Sequence, residues 1–253
     1  MSDVRRTFKT FTLRERPELE NEFERLGAEG WPRFMRQRDE LGLGRHWPRL
    51  FDDFADWQFF VCDSFDRVVG AGHSVPFAWD GTPGDLPDSI AALMERAVRA
   101  RAEPIKPTTL SALAALVDVK QRGQGLSRLI VETMRGMAAH WKLGDLVGPV
   151  RPTQKPAYPL TPMERYVRWT DDEGLPIDSW MRVHARLGAD VIRVIPRAMV
   201  IAGTVKQWEE WTDMRFPESG PYVVPGALQP VVIDREGDEG RYEDPNVWMR
   251  HPL

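Results

Sequence analysis

The chain holds a single cysteine, Cys62, in 253 residues. That thiol has no partner for an internal disulfide or a Cys-x-x-Cys motif, which leaves it the role of a small buried hydrophobe in a strand. No apolar run approaches the roughly 20 residues a spanning helix needs, and the start, Met1-Ser-Asp-Val-Arg-Arg6, lacks the apolar stretch of a signal peptide. The expectation is a cytoplasmic protein with no membrane partner. A basic surplus is missing too. Thirty-four Lys and Arg against 38 Asp and Glu leave a net charge of -4, so no global field draws the chain onto nucleic acid. His46, His73, His140 and His251 show no metal-ligand spacing and no His-Glu-x-x-His occurs, so no metal is expected. The Gly-x-Ser-x-Gly elbow of a serine hydrolase is also absent.

What is present is a globular composition. At 42% hydrophobic and 28% charged residues, with 10 Trp, the chain is neither disordered nor collagen-like. A chain of this length buries roughly 70–75% of its unfolded surface. Arginine far outnumbers lysine, which hints at a GC-rich bacterial genome. With no internal repeat and no Gly/Ser-rich linker, residues 1–253 read as one domain.

Hydrophobic periodicity gives the element order. Phe8 to Leu13 alternates as a strand, and Pro17 opens a helix through Leu19, Phe23 and Leu26. Trp31 to Trp57, broken at Gly42 and Gly44, reads as short helices over a sheet. Trp57–Cys62 and Val68–Phe77 form an antiparallel hairpin around Asp63–Arg67. Leu86–Arg101 is an amphipathic helix, Thr109–Val119 a strand, Leu126 to Trp141 a second amphipathic helix, and Asp145–Val150 a buried strand. After a proline-rich passage, Asp178 caps a helix that Gly188 closes. Val191–Ile201 is a strand, and Thr204 to Gln207 has the form of a capping box. The tail from Pro217 mixes β-prone runs with turns. Strands alternating with helices in this order predict an α/β fold around a mixed sheet.

The most informative stretch is Val117-Asp-Val-Lys-Gln-Arg-Gly-Gln-Gly-Leu-Ser127, where a strand runs through a glycine loop into a helix. The first N–H groups of a helix have no intrahelical partner, its dipole favours anions, and glycine lets the backbone approach a phosphate. Arg122 adds charge-assisted hydrogen bonds. Either the loop holds an anion or Gly123 and Gly125 only shape a tight turn. The P-loop ending Gly-Lys-Ser/Thr and the third glycine of a Rossmann fingerprint are both missing.

Lys120-Gln-Arg-Gly-Gln-Gly125 resembles the Gln/Arg-x-x-Gly-x-Gly/Ala signature of the GNAT superfamily of N-acyltransferases, with Lys120 in place of the usual first residue. A second likeness is His184, four residues before Gly188-Ala189, where many members have a Tyr four before Gly-Phe. The resemblance is good from Thr109 to Ile201, plausible from Phe8, weak in an insertion at 151–177 and absent from the tail at 204–253. It implies a mostly antiparallel sheet with helices on both faces, splayed between the fourth and fifth strands. It also implies acetyl-CoA or another acyl-CoA as co-substrate, held by Leu116, Val117 and Val119 along the pantetheine arm and by Arg122, Gly123, Gln124, Gly125, Leu126 and Ser127 at the pyrophosphate.

Acyl transfer from a thioester to an amine needs a neutral amine, a polarised carbonyl and a proton for the departing thiolate. The resemblance gives His184 the proton-donor role of the family Tyr, which an imidazolium fills if its pKa stays near neutrality. The alternative for His184 is a helix-flank histidine bonded to a carbonyl. Asp118 is near the thioester by position, and no general base is assigned. Asp171–Glu173 either attracts a cationic amine or is a solvated loop. The acceptor implied is a small molecule with a primary amine; specificity is expected in the insertion and the tail, and the tail is a candidate dimer surface. The competing reading is a non-catalytic acyl-CoA-binding module whose Trp-rich surface meets a protein partner.

Overall fold

The computed structural model describes residues 8–253. The elements run β1 Lys9–Thr12, α1 Asn21–Gly30, α2 Arg49–Asp52, β2 Gln58–Cys62, β3 Val68–Phe77, α3 Ile90–Ala102, β4 Thr109–Val117, α4 Leu126–His140 and β5 Asp145–Val150. They continue with α5 Met163–Tyr166, α6 Ser179–Arg186, β6 Asp190–Gly203, α7 Val205–Thr212, β7 Gly220–Tyr222, β8 Val231–Asp234 and β9 Glu239–Pro252. The nine strands form one sheet in the order β1-β2-β3-β4-β5-β9-β8-β7, with β6 also paired to β9. All pairs are antiparallel except β4 with β5.

Local chemistry accounts for most boundaries. The β2–β3 hairpin turns where Asp63 Oδ1 accepts from the N–H groups of Phe65 at 2.9 Å and Arg67 at 3.0 Å. Ser89 caps α3, accepting from Ala92 N–H at 3.0 Å; the helix therefore starts later than the apolar stripe from Leu86 suggests. Asp178 caps α6 through Trp180 and Met181 N–H, and the Thr204/Gln207 capping box opens α7 in both directions. Cys62 is fully buried in β2.

Helices cover both faces. On one, Phe23 and Leu26 of α1 pack on Phe60, Ala71 and Leu116. On the other, α4 comes so close that a Cβ on Gly72 would stand 2.9 Å from Met134 Cε and 2.4 Å from the Phe59 ring. Helix α6 lies on the α4 side, packing Met181 against Val150, Val247 and Met249, and Arg135 of α4 donates to the Leu187 carbonyl at 3.0 Å.

The segment beyond 204, expected to be an elaboration, supplies the strand next to β5. Strand β9 pairs with β5 from Asp145–Pro252 to Val150–Val247 and with β6 along most of its length. It begins Glu-Gly-Arg-Tyr-Glu-Asp-Pro-Asn, polar for an interior strand, and its buried charge, Asp244, is satisfied inside the protein. Asp244 accepts from Arg151 Nε at 2.9 Å, Tyr242 OH at 2.6 Å and Asn246 Nδ2 at 2.9 Å. Among the described residues, no helix is long and apolar enough to cross a membrane.

Candidate active site

Strands β4 and β5 pair at only three positions, Thr109–Asp145, Leu110–Leu146 and Ser111–Val147. Beyond them β4 runs on to Val117 paired with β3 alone, and β5 runs on to Val150 paired with β9 alone. The sheet therefore forks. Consequently, Ala112 to Ala115 are only half-buried although they lie mid-sheet. The β3–β4 register shifts between His73 and Ser74, opposite Ala114 and Ala112, so Leu113 is an extra bulged residue at the mouth of the fork. The unpaired edge of β4 presents backbone donors and acceptors to the slot, and its small Ala side chains leave room there.

The predicted anion loop stands at the end of β4. After a 3-10 turn at Val119–Gln121, Gly123 and Gly125 both take φ +82, a left-handed conformation that a side chain would strain. Gly125 is the N-cap of α4 and offers no capping side chain, so among the described residues the N–H groups of the first turn have no intrahelical partner. A Cβ at Gly123 would meet nothing within 4 Å, which leaves its surroundings open for a ligand. Arg122, Gly123, Gln124 and Gly125 are exposed, Leu126 is buried as the helix anchor, and Ser127 is half-buried. Arg122 makes no ion pair among the described residues. Of the strand residues expected along the pantetheine arm, Leu116 is buried on the α1 side, Val117 is half-buried and Val119 is 44% exposed.

Asp118 has structural partners. It accepts from Lys120 N–H at 2.9 Å and pairs with Arg25 Nη1 at 3.2 Å, while Arg25 also holds the Val68 carbonyl at 2.8 Å. It anchors the loop to α1, a contact that sequence spacing does not reveal.

His184 lies on α6, 3% exposed, with its Nδ1 at 2.8 Å from Nε2 of His251 on β9. The Trp180 ring packs edge-on against it, centroids 4.3 Å apart. His251 pairs with Leu146, one residue before the apex of the fork. Among the described residues, His184 Nε2 and His251 Nδ1 find no hydrogen-bond partner although both are buried. Burial, reinforced by the neighbouring ring, pushes the His184 pKa down to about 3, and burial likewise takes His251 to about 4. At neutral pH both rings are uncharged. The expectation of an imidazolium poised near neutrality is corrected on this point, because the helix flank is sealed by β9 rather than open to solvent.

The acidic run is committed to its own turn. Asp171 Oδ1 accepts from the N–H groups of Glu173 at 3.1 Å and Leu175 at 3.0 Å. A groove beside α5, lined by Leu160, Pro162, Glu164, Pro196, Pro230 and Glu243, joins the insertion to the tail on the α6 side of the sheet. Among the described residues no cluster of His, Cys, Asp and Glu is arranged to hold a metal ion.

Comparison with known proteins places this geometry. No family model matches the chain. The arginine N-acetyltransferase avaD of Aspergillus versicolor is 32% identical over 251 residues, covering 88% of this chain and 85% of its own. Among solved structures, the loading GNATL domain of CurA from Lyngbya majuscula superposes with a TM-score of 0.64 at 16% identity, covering 97% of each chain. The GphF GNAT-like decarboxylase, in complex with isobutyryl-CoA, gives 0.60 at 16% identity over 97% of this chain and 98% of that one. The forked sheet, the glycine loop capping α4 and above all the 32%-identical arginine N-acetyltransferase establish that the chain belongs to the GNAT superfamily and is an N-acyltransferase enzyme.

Proposed function

We propose that the protein transfers an acetyl or short acyl group from coenzyme A to the primary amine of a small acceptor, with arginine as the leading candidate. The observation that carries this reading is the uncapped N-terminus of α4, set by two left-handed glycines beside an unpaired β4 edge. Arg122 and the amides of residues 123–127 suit a pyrophosphate. The free edge of β4 from Ala112 to Val117 suits the amides of a pantetheine arm, as an added strand would. A β4 N–H near the bulge at Leu113 then polarises the thioester carbonyl. The acceptor class comes from the arginine N-acetyltransferase relative.

His184 is assigned to the sulfur side as a neutral ring. With a pKa of about 3 it is not a store of protons at pH 7, so water supplies the proton to the thiolate, and the ring's buried, unpartnered Nε2 is the atom left to face the sulfur. The decisive experiment incubates purified protein with acetyl-CoA and arginine and follows free CoA together with acetylarginine. Stoichiometric appearance of both is expected. Binding of acetyl-CoA without release of CoA, across arginine and other small amines, would favour the non-catalytic module instead.

A further inference from the structure

His73, on β3, is a buried histidine to which the reaction above gives no role. Its hydrogen bonds fix its tautomer. The Gln58 amide nitrogen donates to the carbonyls of Phe54 at 2.8 Å and Ser74 at 2.9 Å, so the Gln58 oxygen is the end that faces His73. That oxygen is an acceptor only, and it lies 3.0 Å from His73 Nδ1 while also accepting from Ser74 N–H at 3.3 Å. Nδ1 must therefore carry the hydrogen, and Nε2 keeps a bare lone pair.

The position is as informative as the tautomer. His73 lies on the α1 face, its ring 4.1 Å from that of Phe23 and within 6 Å of Trp47 and Phe51. It is paired with Ala114, next to the bulged Leu113. Ala114 lies in the stretch of β4 beyond Ser111, the last residue paired with β5, where the strand keeps β3 alone as a partner. Helix α4 covers the opposite face, so an acyl-CoA seated at its N-terminus leaves the α1 face beside Ala114 for the amine.

We propose that His73 Nε2 takes the proton released as the acceptor amine bonds to the acyl carbon, with Gln58 as the positioning residue that keeps this nitrogen bare. The inference rests on the acyltransferase reading above. In the step, the amine lone pair forms the C–N bond, the proton on that nitrogen passes to Nε2, and the C–S bond breaks with its electron pair on sulfur. Water protonates the thiolate and later takes the proton from the imidazolium. The groups packed on His73, namely Phe23 from α1, Trp47 and Phe51 from the 43–52 segment, Gln58 from β2 and Ala114 from β4, are all uncharged. Burial alone lowers the ring's pKa, to about 3, so it is unprotonated before each turnover and unable to deprotonate a free ammonium. Its proton comes from the far more acidic adduct.

His73→Asn keeps a donor where Nδ1 stands and removes Nε2. With acetyl-CoA and arginine, kcat should fall about 100-fold or more, while KM for arginine and Kd for CoA stay within about twofold. A kcat within about threefold of wild type overturns the assignment. Independently of any variant, imidazole nitrogen NMR of the wild-type protein should show His73 protonated on Nδ1 and bare on Nε2 throughout the neutral range. A proton on Nε2 also overturns it. If the wild type acetylates neither arginine nor its decarboxylated analogue agmatine, the acceptor reading fails, and the spectrum still decides the bare nitrogen.

Discussion

Lowering the pH to about 5 should remove much of the protein's stability, because three buried histidines remain neutral in the folded chain. His73 and His184 titrate near 3 and His251 near 4, all lowered chiefly by burial, whereas an unfolded histidine titrates near 6.5. Below that unfolded value the denatured chain binds protons that the native one refuses, so stability is intact above pH 6.5 and falls as the pH drops toward 4. At pH 5 each ring costs about 2 kcal/mol, and the three about 6 kcal/mol, comparable to the whole stability of an ordinary domain. Urea unfolding at about pH 7.5 and about pH 5 reads this as a shift in midpoint. Replacing the pair, with His184→Phe and His251→Leu together, should leave only the roughly one-third of the pH effect that belongs to His73. A midpoint that stays constant between the two pH values, or uptake of fewer than about one proton on unfolding, would refute the burial argument.

Other outcomes follow from the same contacts. His184→Phe should lower kcat more than tenfold while CoA affinity holds, and steady-state kinetics beside calorimetry separates the two; equal loss of both contradicts a role at the sulfur. Arg122→Ala should weaken CoA binding by about 1–2 kcal/mol and flatten its salt dependence, because the exposed guanidinium supplies charge to the loop. Asp178→Ala should destabilise by about 2–4 kcal/mol in urea unfolding. The buried carboxylate caps α6 and also accepts from Gln154 N–H at 2.7 Å and Tyr166 OH at 3.0 Å; a loss below about 0.5 kcal/mol would contradict that accounting.

Features written in local chemistry were legible from sequence. The glycine loop, the capping residues Asp178 and Thr204, and the hairpin at Asp63 all rest on neighbours within a few positions, and the fork followed from the resemblance carried by Lys120–Gly125 and His184. What was not legible depends on partners far along the chain. Strand β9 is disguised by Asp244, whose charge is neutralised by Arg151, 93 residues away. His184 changes from candidate acid to neutral ring only because His251, 67 residues on, closes over it. His73 carries no motif at all, and its tautomer emerges from how Gln58 is held.

The most direct test of the account is a calorimetric titration of coenzyme A into the wild-type protein and into Gly123→Val, with the fold of each checked by circular dichroism. Saturable one-to-one binding to the wild type, weakened at least about tenfold in the variant, is predicted because a side chain strains the left-handed residue and fills the open space that the proposed function gives to the pyrophosphate. No heat with the wild type, or equal affinity in a folded variant, would contradict it.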